Sequence, residues 1–138
     1  MFLVHFNFKF YCMKHLLLIL GLGIGLMSFT YQSDVPEIIN ALKSANAEAV
    51  SGYFDSYLDL TLPGKEEVKN IGKNQAGIAL KQFFSDAGVH SFDLTSQREA
   101  GTTMYMAGKL NGKSRSYNVT LLLRNKEGRH QIISIRIN

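Results

Sequence analysis

The sequence predicts an α+β domain in which an antiparallel β-sheet buries one face beneath helices. Three observations predict it. Residues His90 to Asn138 fall into four runs of alternating apolar and polar residues, separated by turn residues. The residues before them hold two stretches with apolar side chains at helical spacing. Strands with a single apolar face need a cover, and those helices supply it.

The first helix opens at Asp34-Val35-Pro36-Glu37. Proline suits a first turn, where its missing N–H costs nothing, and Ser33 or Asp34 stands ready as a cap. Ile38, Ile39, Leu42 and Ala45 then recur on one side. Asn46 is expected to end or bend this helix in a left-handed conformation. Ala47 to Phe54 is expected to resume it, with Val50, Tyr53 and Phe54 on the apolar side and Ser51-Gly52 as a weak point. Tyr57 to Leu62 alternates as a strand, with Leu58, Leu60 and Leu62 opposite in parity to Asp59 and Thr61. Pro63-Gly64 marks a turn, and Lys65 to Ile71 returns as a weaker strand. Asn74 is expected to cap the next helix. Its Ala76, Ala79, Leu80, Phe83, Phe84 and Ala87 follow the i, i+3, i+4, i+7 pattern, and Gly88 is the natural stop.

The four closing strands follow from their turns. Glu99-Ala100-Gly101 ends the first. Asn111-Gly112 between two alternating runs predicts a type I′ hairpin turn, which needs positive φ at both central residues. Asn125-Lys126-Glu127-Gly128 closes the last hairpin, with Gly128 left-handed. The two-residue period sets Phe92, Leu94, Met104, Met106, Leu110, Tyr117, Val119, Leu121, Leu123, Ile133, Ile135 and Ile137 on the inner face. The opposite parity is mostly polar, including Asp93, Thr95, Gln97, Lys109, Asn118, Thr120, Arg124, Ser134 and Arg136.

Residues 1–32 read as a secretory leader rather than as part of the domain. Lys14-His15 precedes the apolar run Leu16 to Met27, and a short polar exit, Ser28 to Gln32, follows it. A spanning helix needs roughly 20 apolar residues, so the run is short for a stable membrane anchor. Cleavage is expected between Tyr31 and Asp34, leaving residues 33–138 as the single mature domain. The aromatic stretch Met1 to Cys12 is unlike a basic leader start, so translation is expected to begin at Met13. Cys12 is the one cysteine and lies upstream of the leader core, so the mature domain has neither disulfide nor thiol chemistry. Export without disulfides fits a periplasmic or surface protein of a bacterium.

Charge is unevenly spread. Residues 33–100 carry 6 basic and 10 acidic side chains, whereas residues 101–138 carry 7 basic and 1 acidic. Lysine and arginine on strand edges discourage unwanted pairing, and export removes the chain from most nucleic acid. No nucleic-acid partner is expected.

The element order resembles the nuclear transport factor 2-like fold, a curved sheet forming a cone around its packed helices. The phrases Asp34-Val35-Pro36-Glu37-Ile38, Ala41 to Ala47, Tyr53-Phe54-Asp55, Phe83-Phe84, Val119 to Leu123 and Ile135-Arg136-Ile137 carry a closer resemblance. They are similar to a family of short exported proteins of Bacteroidetes, the domain of unknown function 4783. The resemblance implies a cone-shaped domain over Asp34 to Asn138 and implies no reaction. Relatives of the wider fold include isomerases and dehydratases that hold an acid–base pair inside the cone.

The residues point away from chemistry. His90 and His130 sit at strand ends without cysteine or an acidic cluster at ligand spacing, so neither metal nor cofactor is expected. No Gly-x-Ser-x-Gly elbow or phosphate loop occurs in the mature domain. Asp59 and Asp93 fall on the polar parity and Asp55 at a helix exit, where a carboxylate stays solvated. Tyr53, Met104, Met106 and Tyr117 could line a pocket for a small apolar ligand in the cone. Methionine more often fills a plain core. The leading expectation is an exported non-catalytic binding or interaction module, and the alternative is a small-molecule isomerase or dehydratase using the cone. Tyr105, Ala107, Leu122 and Ile132 share the polar parity and are expected to form an apolar patch on the outer face. The resemblance implies a homodimer through that face, the alternative being a monomer whose Leu122 is covered by its own loops.

Overall fold

In the computed structural model, which describes residues 34–138, the first helix forms where the sequence spacing places it. Helix α1 (Val35–Lys43) turns Val35, Ile38, Ala41 and Leu42 inward. Pro36 occupies its first turn. Asp34 holds the N-cap position, but its carboxylate caps no helix N–H. It accepts the backbone N–H of His130 at 3.1 Å instead. The leader, the Met13 start and the processing point before Asp34 lie outside the described residues.

The break after α1 is made one residue earlier than expected. Ala45, at φ 53°, takes the left-handed conformation. Asn46 does different work: at φ −92° it caps α2 (Ala47–Ser51), its side-chain oxygen accepting the Ala49 N–H at 3.1 Å. That oxygen satisfies a donor which the helix start leaves unpaired. The second helix is also shorter than expected. It stops at Ser51, and Phe54 opens strand β1 (Phe54–Thr61). Phe54 is nonetheless buried, its side chain serving the core from a strand rather than from a helix.

Strand β2 (Val68–Gly72) returns antiparallel to β1, with a register shift between Leu58 and Leu60. Asn70 takes φ 58° there, and its N–H donates to Asp59 Oδ1 at 2.9 Å. Helix α3 (Lys73–Ala87) follows at once with Gly72 at the N-cap, so Asn74 lies inside the helix rather than capping it. Ala76, Leu80 and Phe84 face the core. Gly88, at φ 62°, ends the helix in the left-handed cap that glycine adopts without a Cβ penalty.

Four strands close the chain: β3 (Ser91–Ala100), β4 (Thr103–Asn111), β5 (Ser116–Lys126) and β6 (Arg129–Ile137). The six strands lie in the order β2-β1-β6-β5-β4-β3. All neighbours are antiparallel except β1 and β6, which run parallel because the last strand inserts beside the first. Glu127 (φ 56°) and Gly128 (φ 81°) form the two-residue turn between β5 and β6, so the paired positive φ values fall here. Asn111 and Gly112 do not form such a turn. Asn111 pairs with Ser116 across a four-residue loop, and the Gly112 N–H donates to the Arg115 carbonyl at 2.9 Å. A side chain at Gly112 would press on the Ala87 carbonyl at 2.7 Å, where this loop abuts the end of α3.

The core is one cluster that draws on every helix and on five strands, β1 and β3 to β6. Met106, Leu110, Leu121, Leu123, Ile132 and Ile137 have no measurable exposure. Each such side chain contributes about 1.5–3 kcal/mol by leaving water. Residues 33–138 form a compact unit by themselves, and the whole described core lies within it.

Candidate functional site

Cross-strand register builds the outer face of the sheet row by row. Arg98 pairs with Tyr105, Tyr105 with Leu122, Leu122 with Ser134 and Ser134 with Asp59. The next row runs Ser96, Ala107, Thr120, Arg136 and Thr61. Tyr105 is 44% exposed, while Ala107 and Leu122 are half-buried. Arg98, Lys109, Arg124 and Arg136 surround these three. Arg136 reaches Glu67 at 3.8 Å, an exposed pair of little energetic weight.

Ile132 is not on this face. The register of β5 against β6 shifts between Leu122 and Leu123, so Leu123 pairs with Ile132 and both point into the core. The extra residue, Ile133, is half-buried. A bulge of this kind exchanges the faces of a strand, which strict alternation cannot register. The apolar patch therefore consists of Tyr105, Ala107 and Leu122.

The inner side is packed. Met104 and Met106 belong to the core cluster, with Tyr53 and Tyr117 packed at its margin. The Tyr117 ring meets Phe83 edge-on at 5.2 Å, and the Arg115 guanidinium lies 4.4 Å from its centroid. Tyr53 donates its hydroxyl to Glu37 Oε2 at 2.8 Å. That hydrogen bond, with some burial and the charges of Glu37 and Asp34, raises the Tyr53 pKa above the ordinary tyrosine value and keeps the phenol protonated. Surface clefts occur among the described residues. One of about 330 Å³ lies between α2 and α3 at Glu48, Lys73, Gly77 and Ile78. One of about 320 Å³ lies at Asn46, Lys81, Phe84 and Val89. One of about 530 Å³ lies at Ser96, Gln97, Arg98 and Tyr105. Tyr53, Met104, Met106 and Tyr117 line none of the three.

Asp59 and Asp93 lie on the outer parity of their strands, whereas Asp55, expected at a helix exit, lies in β1. Asp59 points outward onto the Asn70 N–H, and Asp93 is exposed and accepts the Asn111 side chain at 3.0 Å. Asp55 accepts the Ser56 N–H at 2.7 Å. His90 is exposed, and its Nδ1 sits 3.3 Å from the Gly88 carbonyl. The ring nitrogens of His130 are buried and meet no hydrogen-bond partner among the described residues. No group of three potential metal ligands occurs among the described residues, and no described helix is long and apolar enough to cross a membrane.

Known proteins share this architecture. The family described as a domain of unknown function (DUF4783) matches residues 35–138. A DUF4783 family protein from Bacteroides uniformis ATCC 8492 is 27% identical, with a TM-score of 0.69 over 75% of this chain and 95% of that one. A second, from Bacteroides ovatus ATCC 8483, is 24% identical with a TM-score of 0.65 over 72% and 89%. A nuclear transport factor 2-like protein of unknown function from Cytophaga hutchinsonii ATCC 33406 is 15% identical, with a TM-score of 0.55 over 81% and 91%. No curated protein matches the chain. The fold is thus α+β and nuclear transport factor 2-like, with a curved six-stranded sheet and, among the described residues, three helices.

Proposed function

The chain belongs to the DUF4783 family, and from that membership we propose that it is an exported, non-catalytic interaction module which meets its partner with the outer face of its sheet. The observation that carries the proposal is the row Arg98–Tyr105–Leu122, which sets an exposed aromatic ring beside an aliphatic side chain inside a basic rim. Tyrosine at a water boundary offers a large apolar body with a polar tip, a combination enriched at interfaces. The packing of Met104 and Met106 into the core favours the same reading, because it uses the inner side for stability. Export rests on the sequence of residues 1–32, with its basic start and apolar run.

The first partner to test is a second copy. A two-fold pairing of outer faces would bring Arg98, Lys109 and Arg124 of each copy towards their counterparts. Salt screens such repulsion, so association should strengthen as ionic strength rises. Sedimentation equilibrium of residues 33–138 at tens of micromolar is expected to show dimer, with more of it in high salt. Leu122→Lys, which adds charge at the centre of the face, should leave monomer. A wild-type monomer at both ionic strengths would remove the second copy as a stable partner.

A further inference from the structure

Strand β3 is an edge of the sheet, and its last six residues, Thr95 to Ala100, are all exposed. Their backbone groups that point away from β4 have no strand partner among the described residues. The cleft of about 530 Å³ at Ser96, Gln97, Arg98 and Tyr105 opens beside this edge. Register places Tyr105 between two arginines, with Arg98 directly across on β3 and Arg124 opposite Thr103 on the β5 side. Neither arginine has an ion-pair partner among the described residues. The nearest outward carboxylate on these three strands is Asp93, which pairs with Lys109, four residues along β4 from Tyr105 and so roughly 13 Å away.

We propose that the Ser96–Ala100 edge, together with the cleft at Tyr105, binds an extended acidic segment of a partner protein by strand addition. This goes beyond the outer-face reading, because it uses the open backbone edge of β3; it shares Arg98 and Tyr105 with that face and is therefore a site of the monomer. A peptide backbone is the ligand whose alternating donors and acceptors match an open strand edge. Arg98, which lines the cleft, selects a carboxylate for a side chain that projects over it, and Arg124 two strands away adds to the positive field. The register shift between Leu94 and Ser96, where the Thr95 hydroxyl donates to the Ala107 carbonyl at 3.0 Å, limits the pairing segment to the residues beyond it. Such a bulge, with Arg98, also keeps the edge from pairing indiscriminately. A second copy fits the edge less well. A two-fold pairing centred on Ser96 sets Asp93 opposite Glu99, and one centred on Arg98 sets that arginine against itself.

The test uses residues 33–138 and a fluorescein-labelled heptapeptide, Glu-Thr-Glu-Val-Glu-Thr-Glu, followed by anisotropy and by amide hydrogen exchange. Saturable binding is expected, with slowed exchange confined to amides of Ser96 to Ala100. Arg98→Glu, an exposed substitution whose folding is checked by circular dichroism, should weaken binding about tenfold or more. A peptide N-methylated at alternate residues, which lacks the donors of one edge, should also bind weakly. Binding that survives N-methylation, or that leaves these amides unprotected, would overturn strand addition and leave charge attraction alone. Protection that grows with protein concentration and ignores the peptide would make a second copy the occupant and overturn the proposal. No binding at millimolar peptide would overturn it as well. The peptide experiment is run at a protein concentration where sedimentation shows monomer, so the failure of either reading is distinguishable from the failure of the other.

Discussion

Phe84→Ala is expected to cost about 3–5 kcal/mol of unfolding free energy, whereas Asp93→Ala should stay within about 0.5 kcal/mol of wild type. Phe84 lies on the inner side of α3, is 5% exposed, and meets the Phe83 ring edge-on with centroids 6.2 Å apart. Removing its ring leaves a cavity between the helix and the sheet that rigid neighbours fill only in part. The Phe84 carbonyl also accepts the Val89 N–H at 3.0 Å in the helix stop, but a substitution keeps that backbone bond. Asp93 sits on the outer side of β3 in water and accepts a hydrogen bond from an asparagine side chain. Urea denaturation of the two variants measures both. Equal losses would mean that the inner and outer faces have been assigned wrongly.

Gly108→Val is expected to be comparably damaging, at about 3 kcal/mol, the upper end of the usual cost of overpacking. Gly108 lies in the middle of β4, opposite Leu94 on β3. A Cβ there would overlap the Asp93 carbonyl oxygen and the ring of Phe92. One obstacle is backbone and the other is a buried ring, so neither can move aside cheaply. The glycine lets the β3 edge and Phe92 close over the strand next to the register shift at Leu94 and Ser96. Thermal melting should show a large drop in the transition temperature. A melting temperature near wild type would mean that β3 is free to shift outward, and that the packing at Phe92 is looser than described.

Most of the fold was legible because local signals and global pairing agree. The inner faces of β4 and β5 follow strict alternation from Met104 to Leu110 and from Tyr117 to Leu123. Gly88 stops α3 as its chemistry dictates. Elsewhere the sequence signal gives way to a competing contact, local at Asn46 and distant in sequence at Asn111-Gly112. Asn46 tolerates positive φ, yet the α2 start gives its side chain an N–H to cap, and Ala45 takes the left-handed conformation. Asn111-Gly112 has the dipeptide of a tight turn, but the loop lies against the end of α3. The Lys113 N–H donates to the Ala87 carbonyl at 2.9 Å, and that contact sets its length. Ile132 changed faces through a bulge that no periodicity reveals. The parallel pairing of β1 with β6 joins the two ends of the domain and leaves no local trace.

The candidate surface was legible in part. Tyr105, Ala107 and Leu122 are apolar residues that break the polar parity, and the register brings them together. The cleft at Ser96 to Arg98 was not found, because an edge strand is defined by which strands flank it. Gly108 carried an unused signal, since a glycine inside a strand marks a close approach of backbone or ring.

If the interior serves stability alone, the core methionines are closed to ligands. Methyl NMR of residues 33–138 labelled at methionine, titrated with indole as a small apolar probe, measures this. The Met104 and Met106 methyl signals are expected to stay in place up to millimolar indole. Saturable shifts of those two signals would show an interior that opens to ligands, and would overturn the proposal of a module that binds only at its surface.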